Sequence, residues 1–399
     1  QYVIDMRREF HENPELSHHE ERTVRRIREE LDKLGIPNIT VGHNNVIGTL
    51  EGGKPGKKIA IRADIDALPV AEANEVPYKS KVEGVMHACG HDGHAAMLLG
   101  TAHVLSEIRD QLCGTVYLCF QVAEEIGAGA DEIVAYLKSI GGVDQAIGTH
   151  LAGGDPAGVI NLPDGPMMAG ALGFEITVKG VGGHGSRPDR AVDPVKPACD
   201  IVLKIAMIPA QYHNPFDTCV VSPCQITAGN KNNIIPETAF IAGNIRFFKY
   251  GDGDKIFAKI KEVAENTARA YGTEAVVTSQ VMSPLPVIND PACAARGREI
   301  AQQVGLTLAE PRDPTAGSDN FAEFLAAFPG FYCDTGAFCT RPGASGNHHN
   351  PNFDLDETAF KKVVEFFAAY TADFLKYPCG LGFRMSYTYI HEFMRDGQK

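Results

Sequence analysis

The chain has 399 residues, 44% hydrophobic and 22% charged, which is typical of a globular protein with two domains. Its formal net charge of -13 disfavours binding to nucleic acid or to anionic membrane surfaces, because both are polyanions. The ten cysteines include no CxxC pair and are too few for a disulfide scaffold, so we expect a cytoplasmic protein. No apolar run reaches membrane-spanning length and residues 1–30 are strongly charged, so we expect neither a membrane span nor a signal segment.

The first part of the chain alternates helical and strand patterns. Apolar residues at three- and four-residue spacing predict helix within residues 2–35, interrupted by a turn at Pro14, and the charges of residues 20–30 are interpreted as a solvated helix face. Strands are predicted over residues 46–50, 58–63, 115–121 and 144–150, and helices over residues 92–108 and 130–140. This alternation predicts an α/β sheet with helices on its faces.

The middle of the chain has a different rhythm. A strand is predicted over residues 173–179, a helix over 194–208, strands over 218–227 and 238–248, a helix over 254–271 and a strand over 273–281. This βαββαβ order is typical of a ferredoxin-like domain. We therefore expect one domain made of residues 1–171 and 285–399, into which a second domain of residues 172–284 is inserted.

Residues 87–94 bring together a thiol, an acid and three imidazoles. These groups are costly to bury unpaired, whereas a divalent metal uses thiolate, imidazole and carboxylate as ligands. Cys89 and His91 stand two apart, so on an extended segment both face the same side, and Gly90 between them allows close approach. The alternative is a buried free cysteine beside a helix start capped by Asp92.

Acids and histidines follow the later strands. Glu124 and Glu125 come after an apolar strand; on an extended chain they point in opposite directions, which suits one as metal ligand and the other as proton carrier, although paired acids also begin solvated turns. His150 closes the next strand at the same sheet edge and is interpreted as a ligand. A downstream loop carries His348 and His349, of which one completes the site; His348 then lies outside the ligands or faces solvent.

Six segments together resemble the M20 metallopeptidase and amidohydrolase family, in particular the branch of bacterial N-acyl-amino-acid hydrolases, hippurate hydrolases and plant auxin-conjugate hydrolases. They are residues 62–69, 86–99 with the sequence CGHDGH, 124–125, 182–185, 233–236 and 349–354. The chain departs from this branch at Pro188-Asp189, where Pro-His is common, and at residues 317–321, which read GSDNF instead of the usual GSEDF.

The resemblance implies the roles of individual residues. By this resemblance, the metal ligands are Cys89, His91, Glu125, His150 and His349, and the general base is Glu124. It also implies that residues 172–284 form a lid that pairs in a homodimer and carries His184 over the partner's active site. Asn233 and Arg246 match positions that bind the substrate carboxylate, and Asp64 and Asp66 resemble residues that support the metal ligands.

The sequence thus predicts a binuclear metal-dependent amidohydrolase that cleaves N-acyl amino acids, with two zinc or manganese ions and cobalt or nickel as alternatives. Because two ions carry more positive charge than their ligands neutralise, we expect an anionic small-molecule substrate, and His184 would stabilise the oxyanion. A dipeptidase or carboxypeptidase of the same family is the main alternative. Two other classes stay open: a metal-free thiol hydrolase with Cys89 as nucleophile, and a non-catalytic metal-binding protein.

Overall fold

The computed structural model describes residues 1–376 and separates them into two units. Within the described residues, unit 1 comprises Gln1–Gly165, Ile288–Asp313 and residues 320–376, and unit 2 comprises Pro166–Val287 and Pro314–Asp319. The predicted first domain extended to residue 399, and its last stretch, 377–399, lies outside the described residues. Pro314–Asp319 had been expected in the first domain; it groups with unit 2 because the amide of Ala169 donates to the carbonyls of Thr315 and Gly317.

Unit 1 is built on an eight-stranded mixed sheet, which confirms the predicted α/β class. With labels running along the whole chain, its strands are β1 (Asn38–Val41), β2 (Asn45–Glu51), β3 (Lys54–Asp64), β4 (Cys113–Gln121), β5 (Gln145–Ala152), β6 (Val159–Asn161), β15 (Thr307–Leu308) and β16 (Gly330–Gly336). Their order is β1-β2-β4-β3-β5-β16-β6-β15, and β4, β3, β5 and β16 run parallel. The carboxyl ends of these four strands meet at one edge, where open α/β sheets bind ligands.

Helices cover this sheet and close its apolar core. They are α1 (Tyr2–Glu12), α2 (Glu21–Lys33), α3 (His91–Glu107), α4 (Ala130–Ser139), α8 (Pro291–Gln303), α9 (Ala322–Ala327) and α10 (Thr358–Phe374). Helix α3 is buried over nearly its whole length, packing on β3 and β5 and against α1 and α10. Its small residues permit this, since a Cβ at Gly93 would lie 2.6 Å from the side chain of Leu151. The core helix therefore begins beside the carboxyl end of β5.

Unit 2 has its own sheet and its own apolar core. Its elements are β8 (Gly170–Lys179), β9 (Gly183–His184), α5 (Val195–Ile205), α6 (Ile208–Tyr212), β10 (Cys219–Ala228), β11 (Ile234–Ile235), β12 (Thr238–Phe247), α7 (Asp252–Ala270) and β13 (Glu274–Ser283). The four long strands are antiparallel in the order β10-β12-β8-β13, and β9 pairs with β11 in a separate ribbon. Two short strands, β7 (Gly165–Met168) and β14 (Val287–Asn289), occur where the chain passes between the units.

Two expectations about the helices need correction. The helix predicted over residues 194–208 ends at Ile205, and α6 follows with Pro209, whose ring nitrogen has no proton to donate to the preceding turn. Residues 20–30 are not uniformly solvated: Glu20 and Glu30 are buried, and Glu30 accepts hydrogen bonds from Tyr2 and Arg26. Within residues 1–376, no helix combines the length and apolar character needed to cross a bilayer.

Candidate metal centre

Cys89 and His91 lie at the start of helix α3, not on an extended segment as predicted. Gly90, between them, has φ of +96° and forms the N-cap, so the chain turns sharply into the helix. Glycine adopts this left-handed conformation without the steric cost that a Cβ brings. Both flanking side chains are buried, and the turn directs them toward the carboxyl ends of the strands.

His91 presents one unpaired nitrogen to this region. Its Nδ1 donates to Asp66, lying 3.0 Å from the carbonyl oxygen and 3.1 Å from Oδ1. Its Nε2 is buried without a hydrogen bond and lies 3.6 Å from Oδ2 of Asp64 and 3.9 Å from Oε1 of Glu125, an oxygen that is also buried without a hydrogen bond. Although burial lowers the pKa of His91, the neighbouring Asp64 and Asp66 carboxylates raise this pKa well above its usual value. A carboxylate that orients an imidazole in this way is typical of metal sites.

Glu124 and Glu125 follow strand β4 in a short 3-10 turn, which corrects the predicted extended geometry. The turn begins at Ala123, whose φ is +59° and whose amide donates to Oε1 of the buried Glu20 at 2.8 Å. Asp66 Oδ2 accepts from the amide of Glu125 at 3.1 Å. Burial raises the pKa of Glu125, partly opposed by the nearby histidines.

The amide of Asn320 lies 3.4 Å from Oε1 of Glu124. Asn320 itself is held firmly, because its Oδ1 accepts from Arg62 and Gln121 and its Nδ2 donates to the carbonyl of Ala128. Asn320, in the GSDNF segment, therefore contributes a backbone donor to the site.

Cys89, directly before the N-cap of α3, lies close to His150 of β5. Cys89 Sγ lies 3.4 Å from His150 Nε2, while His150 Nδ1 donates to the carbonyl of Leu151 at 3.2 Å. Burial lowers the pKa of His150 well below its usual value and raises the pKa of the Cys89 thiol. The imidazole is thus neutral, as a ligand must be, and a bound divalent cation would favour the thiolate.

The loop after β16 brings two consecutive histidines to the same thiol. His349 Nε2 lies 3.4 Å from Glu125 Oε2, although its side chain is 55% exposed. His348 is half-buried, with Nδ1 3.9 Å from Cys89 Sγ. Its ring packs against His150 and Phe353 at centroid distances of 4.9 Å.

Of the four His, Cys, Asp and Glu groups in the described chain that could hold an ion, three consist entirely of these side chains. Their donor atoms lie within 4.8 Å of one another, and the groups are Cys89–His150–His348, Cys89–Glu125–His349 and His91–Glu124–Glu125. The unpaired atoms of His91 and Glu125 would gain partners from a cation, so the donor set fits a metal centre. The five predicted ligands and Glu124 therefore lie in one region.

His94 belongs to a further group, with Asp64 and His91, but both of its nitrogens are occupied. Its Nδ1 lies 2.5 Å from Asp64 Oδ1, and its Nε2 accepts from the amide of Leu151 at 2.9 Å. With no free lone pair, His94 supports the chain around the site and is not a ligand. Asp64 is held in turn by Arg62, whose Nη1 lies 2.7 Å from Oδ2.

A buried charge network that the sequence analysis did not find ties the ligand segments together. Arg7 of α1 is fully buried and contacts Asp92 at 2.8 Å, Asp354 at 3.1 Å and Glu357 at 3.3 Å. Asp92 follows His91 directly, and Asp354 ends the loop that carries the two histidines. An arginine in an amphipathic N-terminal helix gives no sequence signal for this role, because such residues are usually exposed.

Unit 2 contains the three remaining predicted residues. His184 and Asn233 are exposed and line one open groove of about 570 Å³, formed by residues 182–184 and 233–237. Ser186 donates to His184 Nδ1 from its amide at 3.1 Å. Arg246, on β12, donates to the carbonyls of Ile245 and Ala316 and forms no ion pair with any described acid.

Comparisons with known proteins point to one family of hydrolases. Residues 60–373 match the sequence profile of peptidase family M20/M25/M40. The chain is 38% identical over 364 residues to thermostable carboxypeptidase 2 of Saccharolobus solfataricus, covering 90% of this chain and 92% of the relative. It is 36% identical over 371 residues to an N-acetylcysteine deacetylase of Bacillus subtilis, covering 92% and 95%. The crystal structure of a Bacillus subtilis protein, described as a dinuclear metal binding peptidase from the M20 family, superposes with a TM-score of 0.81 at 35% identity, covering 94% and 97%.

Proposed function

The chain belongs to peptidase family M20/M25/M40, as its motifs predicted, and is a metal-dependent hydrolase; we propose that it cleaves the amide bond of N-acyl amino acids, releasing a carboxylic acid and the free amino acid. The observation that carries this proposal is the convergence of the donors Cys89, His91 and Glu125 next to a second acid, Glu124. A deacetylase of an N-acyl amino acid is among the similar proteins, with 95% of its length covered.

We propose that two divalent ions are held by Cys89, His91, Glu125, His150 and His349. Thiolate and imidazole favour zinc, cobalt or nickel, while carboxylate also suits manganese. We therefore propose that the two ions are zinc or manganese. When bound, such ions supply polarisation of the amide carbonyl and a lowered pKa for water. A bound ion also gives a partner to the buried atoms of His91 and Glu125 that otherwise lack one.

Glu124 is the proposed proton carrier. Its carboxylate accepts a proton from the attacking water and delivers this proton to the leaving amine nitrogen, so that the C–N bond breaks with a neutral amine as product. The amide of Asn320 next to Oε1 restricts the orientation of the carboxylate. Glu125 has both oxygens close to imidazole nitrogens, at 3.9 and 3.4 Å, which supports the ligand role for Glu125.

Unit 2 is proposed to be a ferredoxin-like lid that also pairs two subunits in a homodimer. Its chain order of strands and helices and its sheet order β10-β12-β8-β13 support the first part. Asn233 and the unneutralised guanidinium of Arg246 would bind the substrate carboxylate, and His184 would donate to the oxyanion. The excess positive charge of two ions over Cys89 and Glu125 favours the same anionic substrate. A cytoplasmic location is part of this proposal.

The variant Glu124→Gln tests the proposed chemistry. We expect it to bind as much metal as the wild type while kcat/KM for N-acetyl amino acids falls by about 10²- to 10⁴-fold. Glu107→Gln, at the exposed end of α3, is the matched control and should change neither quantity. Wild-type turnover by the Glu124 variant would remove this residue from the mechanism.

Carboxypeptidase activity is the second candidate, favoured by the 38% identity to a carboxypeptidase over 90% of this chain. Metal-loaded enzyme assayed with N-acetyl, N-benzoyl and longer acyl amino acids beside dipeptides ranks the two activities directly. Each acyl amino acid is paired with its C-terminal amide, which lacks the carboxylate and should be hydrolysed far more slowly. A thiol hydrolase would keep its activity after chelation, whereas the proposed enzyme loses activity and recovers it on metal addition.

A further inference from the structure

His348 lies close to the thiol of Cys89, which belongs to two of the candidate metal-binding groups. Its Nδ1 is 3.9 Å from Cys89 Sγ, and Cys89 Sγ is 3.4 Å from His150 Nε2. The three donor atoms form a compact group, all within 4.8 Å of one another. The proposed set of five ligands gives His348 no role at the metal centre. Yet the donor atoms of the Cys89–His150–His348 group lie within the same 4.8 Å of one another as those of the Cys89–Glu125–His349 group.

The backbone explains how neighbouring imidazoles reach one sulfur. Side chains of consecutive residues on an extended strand point to opposite faces. His349, however, has φ of +62°, a left-handed conformation that costs a non-glycine residue about 1–2 kcal/mol. Its amide donates to the carbonyl of Ala88 at 2.8 Å, which anchors the loop next to Cys89. A strained residue held by such an anchor indicates that the site requires this turn.

The ring of His348 is also fixed in place. It packs on Phe353 at a centroid distance of 4.9 Å with an angle of 39°, and on His150 at 4.9 Å with an angle of 73°. These contacts restrict the imidazole before any ion arrives, which lowers the entropic cost of ligation. The same contacts support a competing explanation, in which His348 only packs against its aromatic neighbours and binds no ion.

We propose that His348 is an additional metal ligand, which joins Cys89 and His150 around one of the two ions. The inference rests on the proposed metal centre and extends its ligand set. Cys89 then belongs to two groups, one with His150 and His348 and one with Glu125 and His349. The first group offers only nitrogen and sulfur, so it selects zinc, cobalt or nickel over manganese, while the carboxylate of the second accepts manganese as well. The two positions therefore differ in metal preference.

His348→Phe separates ligation from packing, because it keeps a ring against Phe353 and removes both nitrogens. Metal-free wild type and variant are titrated with Zn²⁺ in competition with a chromophoric chelator, and the bound metal is counted by atomic emission. We expect two ions in the wild type, and in the variant a loss of affinity for one ion by 10- to 100-fold or more, with the other unchanged. Cobalt titrations should show the same split, with altered d–d absorption for one ion.

Two further samples keep the test decisive. His348→Ala should lose the same metal affinity and regain part of it with added imidazole, which a packing role would not produce. This variant also replaces His348→Phe in the test if the Phe ring does not fit. His19→Ala, an exposed histidine, controls for adventitious binding. Two ions bound with wild-type affinity in both His348 variants would overturn the inference and leave the proposed function intact. A wild type that binds no ion would overturn the metal centre itself.

Discussion

Replacement of Arg7 by methionine tests whether the buried charge network holds the ligand segments together. Arg7 is 0% exposed, and its guanidinium contacts Asp92, Asp354 and Glu357 at 2.8–3.3 Å. Methionine fills similar space, but it leaves buried carboxylates without a cation. Breaking one partner out of a buried ion pair costs about 3–5 kcal/mol, because the remaining charge is uncompensated. We therefore expect the free energy of unfolding to fall by about 3–5 kcal/mol.

The neighbouring residue provides a matched control. Arg8 also pairs with Glu357, at 2.6 Å, but its side chain is 43% exposed. Exposed ion pairs contribute about 0–1 kcal/mol, so Arg8→Met should be close to neutral. The two variants remove the same chemical group from adjacent positions on one helix and differ mainly in burial.

Urea unfolding of the metal-free proteins, followed by far-UV circular dichroism, measures both effects, since the chain has no tryptophan to report by fluorescence. Metal-free samples keep any loss of bound ions out of the comparison. Equal destabilisation by Arg7→Met and Arg8→Met, or a loss below 1 kcal/mol for Arg7→Met, would refute the reasoning. A separate Zn²⁺ titration should show weaker binding to the Arg7 variant, because Asp92 adjoins His91, a proposed ligand.

The remaining predictions concern the surroundings of the ligands. Asp66→Asn should weaken metal binding by about 10- to 100-fold in a chelator competition, since Asp66 orients His91 and accepts from the amide of Glu125; unchanged affinity would contradict this. Burial lowers the pKa of His11, but its contact with Asp92 raises this pKa above the usual value overall, so the folded state holds the proton more tightly. The stability that His11 contributes is complete below about pH 6.5 and is lost as pH rises through the folded pKa. The difference in unfolding free energy between wild type and His11→Gln should therefore shrink from pH 6 to pH 9, and a constant difference would contradict the assignment.

The sequence predicted what depends on local pattern. Strands β3, β4 and β5 are apolar runs, and α3 begins within the CGHDGH segment, so the residue pattern located these elements. Their alternation predicted a sheet in which the ends of neighbouring strands lie together. Acids and imidazoles at those ends indicated the metal centre, because few other environments tolerate them together. The chain that carries unit 2 was likewise visible from its change in element order.

The geometry within the site could not be predicted in the same way. Cys89 and His91 were expected on an extended segment, but Gly90 turns the chain, and nothing in a single glycine specifies its φ. Ala123 takes a left-handed conformation that alanine rarely adopts, and it is held there by Glu20 from 103 positions earlier. Such tertiary hydrogen bonds override local preference. The burial of Arg7 escaped prediction for the same reason, since its partners are distant in sequence.

The position of β16 constrains how the protein matures. This strand lies between β5 and β6, although it is made after all of unit 2. While the ribosome is still producing the intervening residues, β5 has an open edge and the loop with His348 and His349 does not yet exist. The nascent N-terminal half therefore exposes a strand able to pair with other chains, and it can complete neither the sheet nor the full set of candidate ligands until residue 349 has emerged. Pairing through the open edge of β5 is therefore a hazard of synthesis and folding, which ends when β16 takes its place in the sheet.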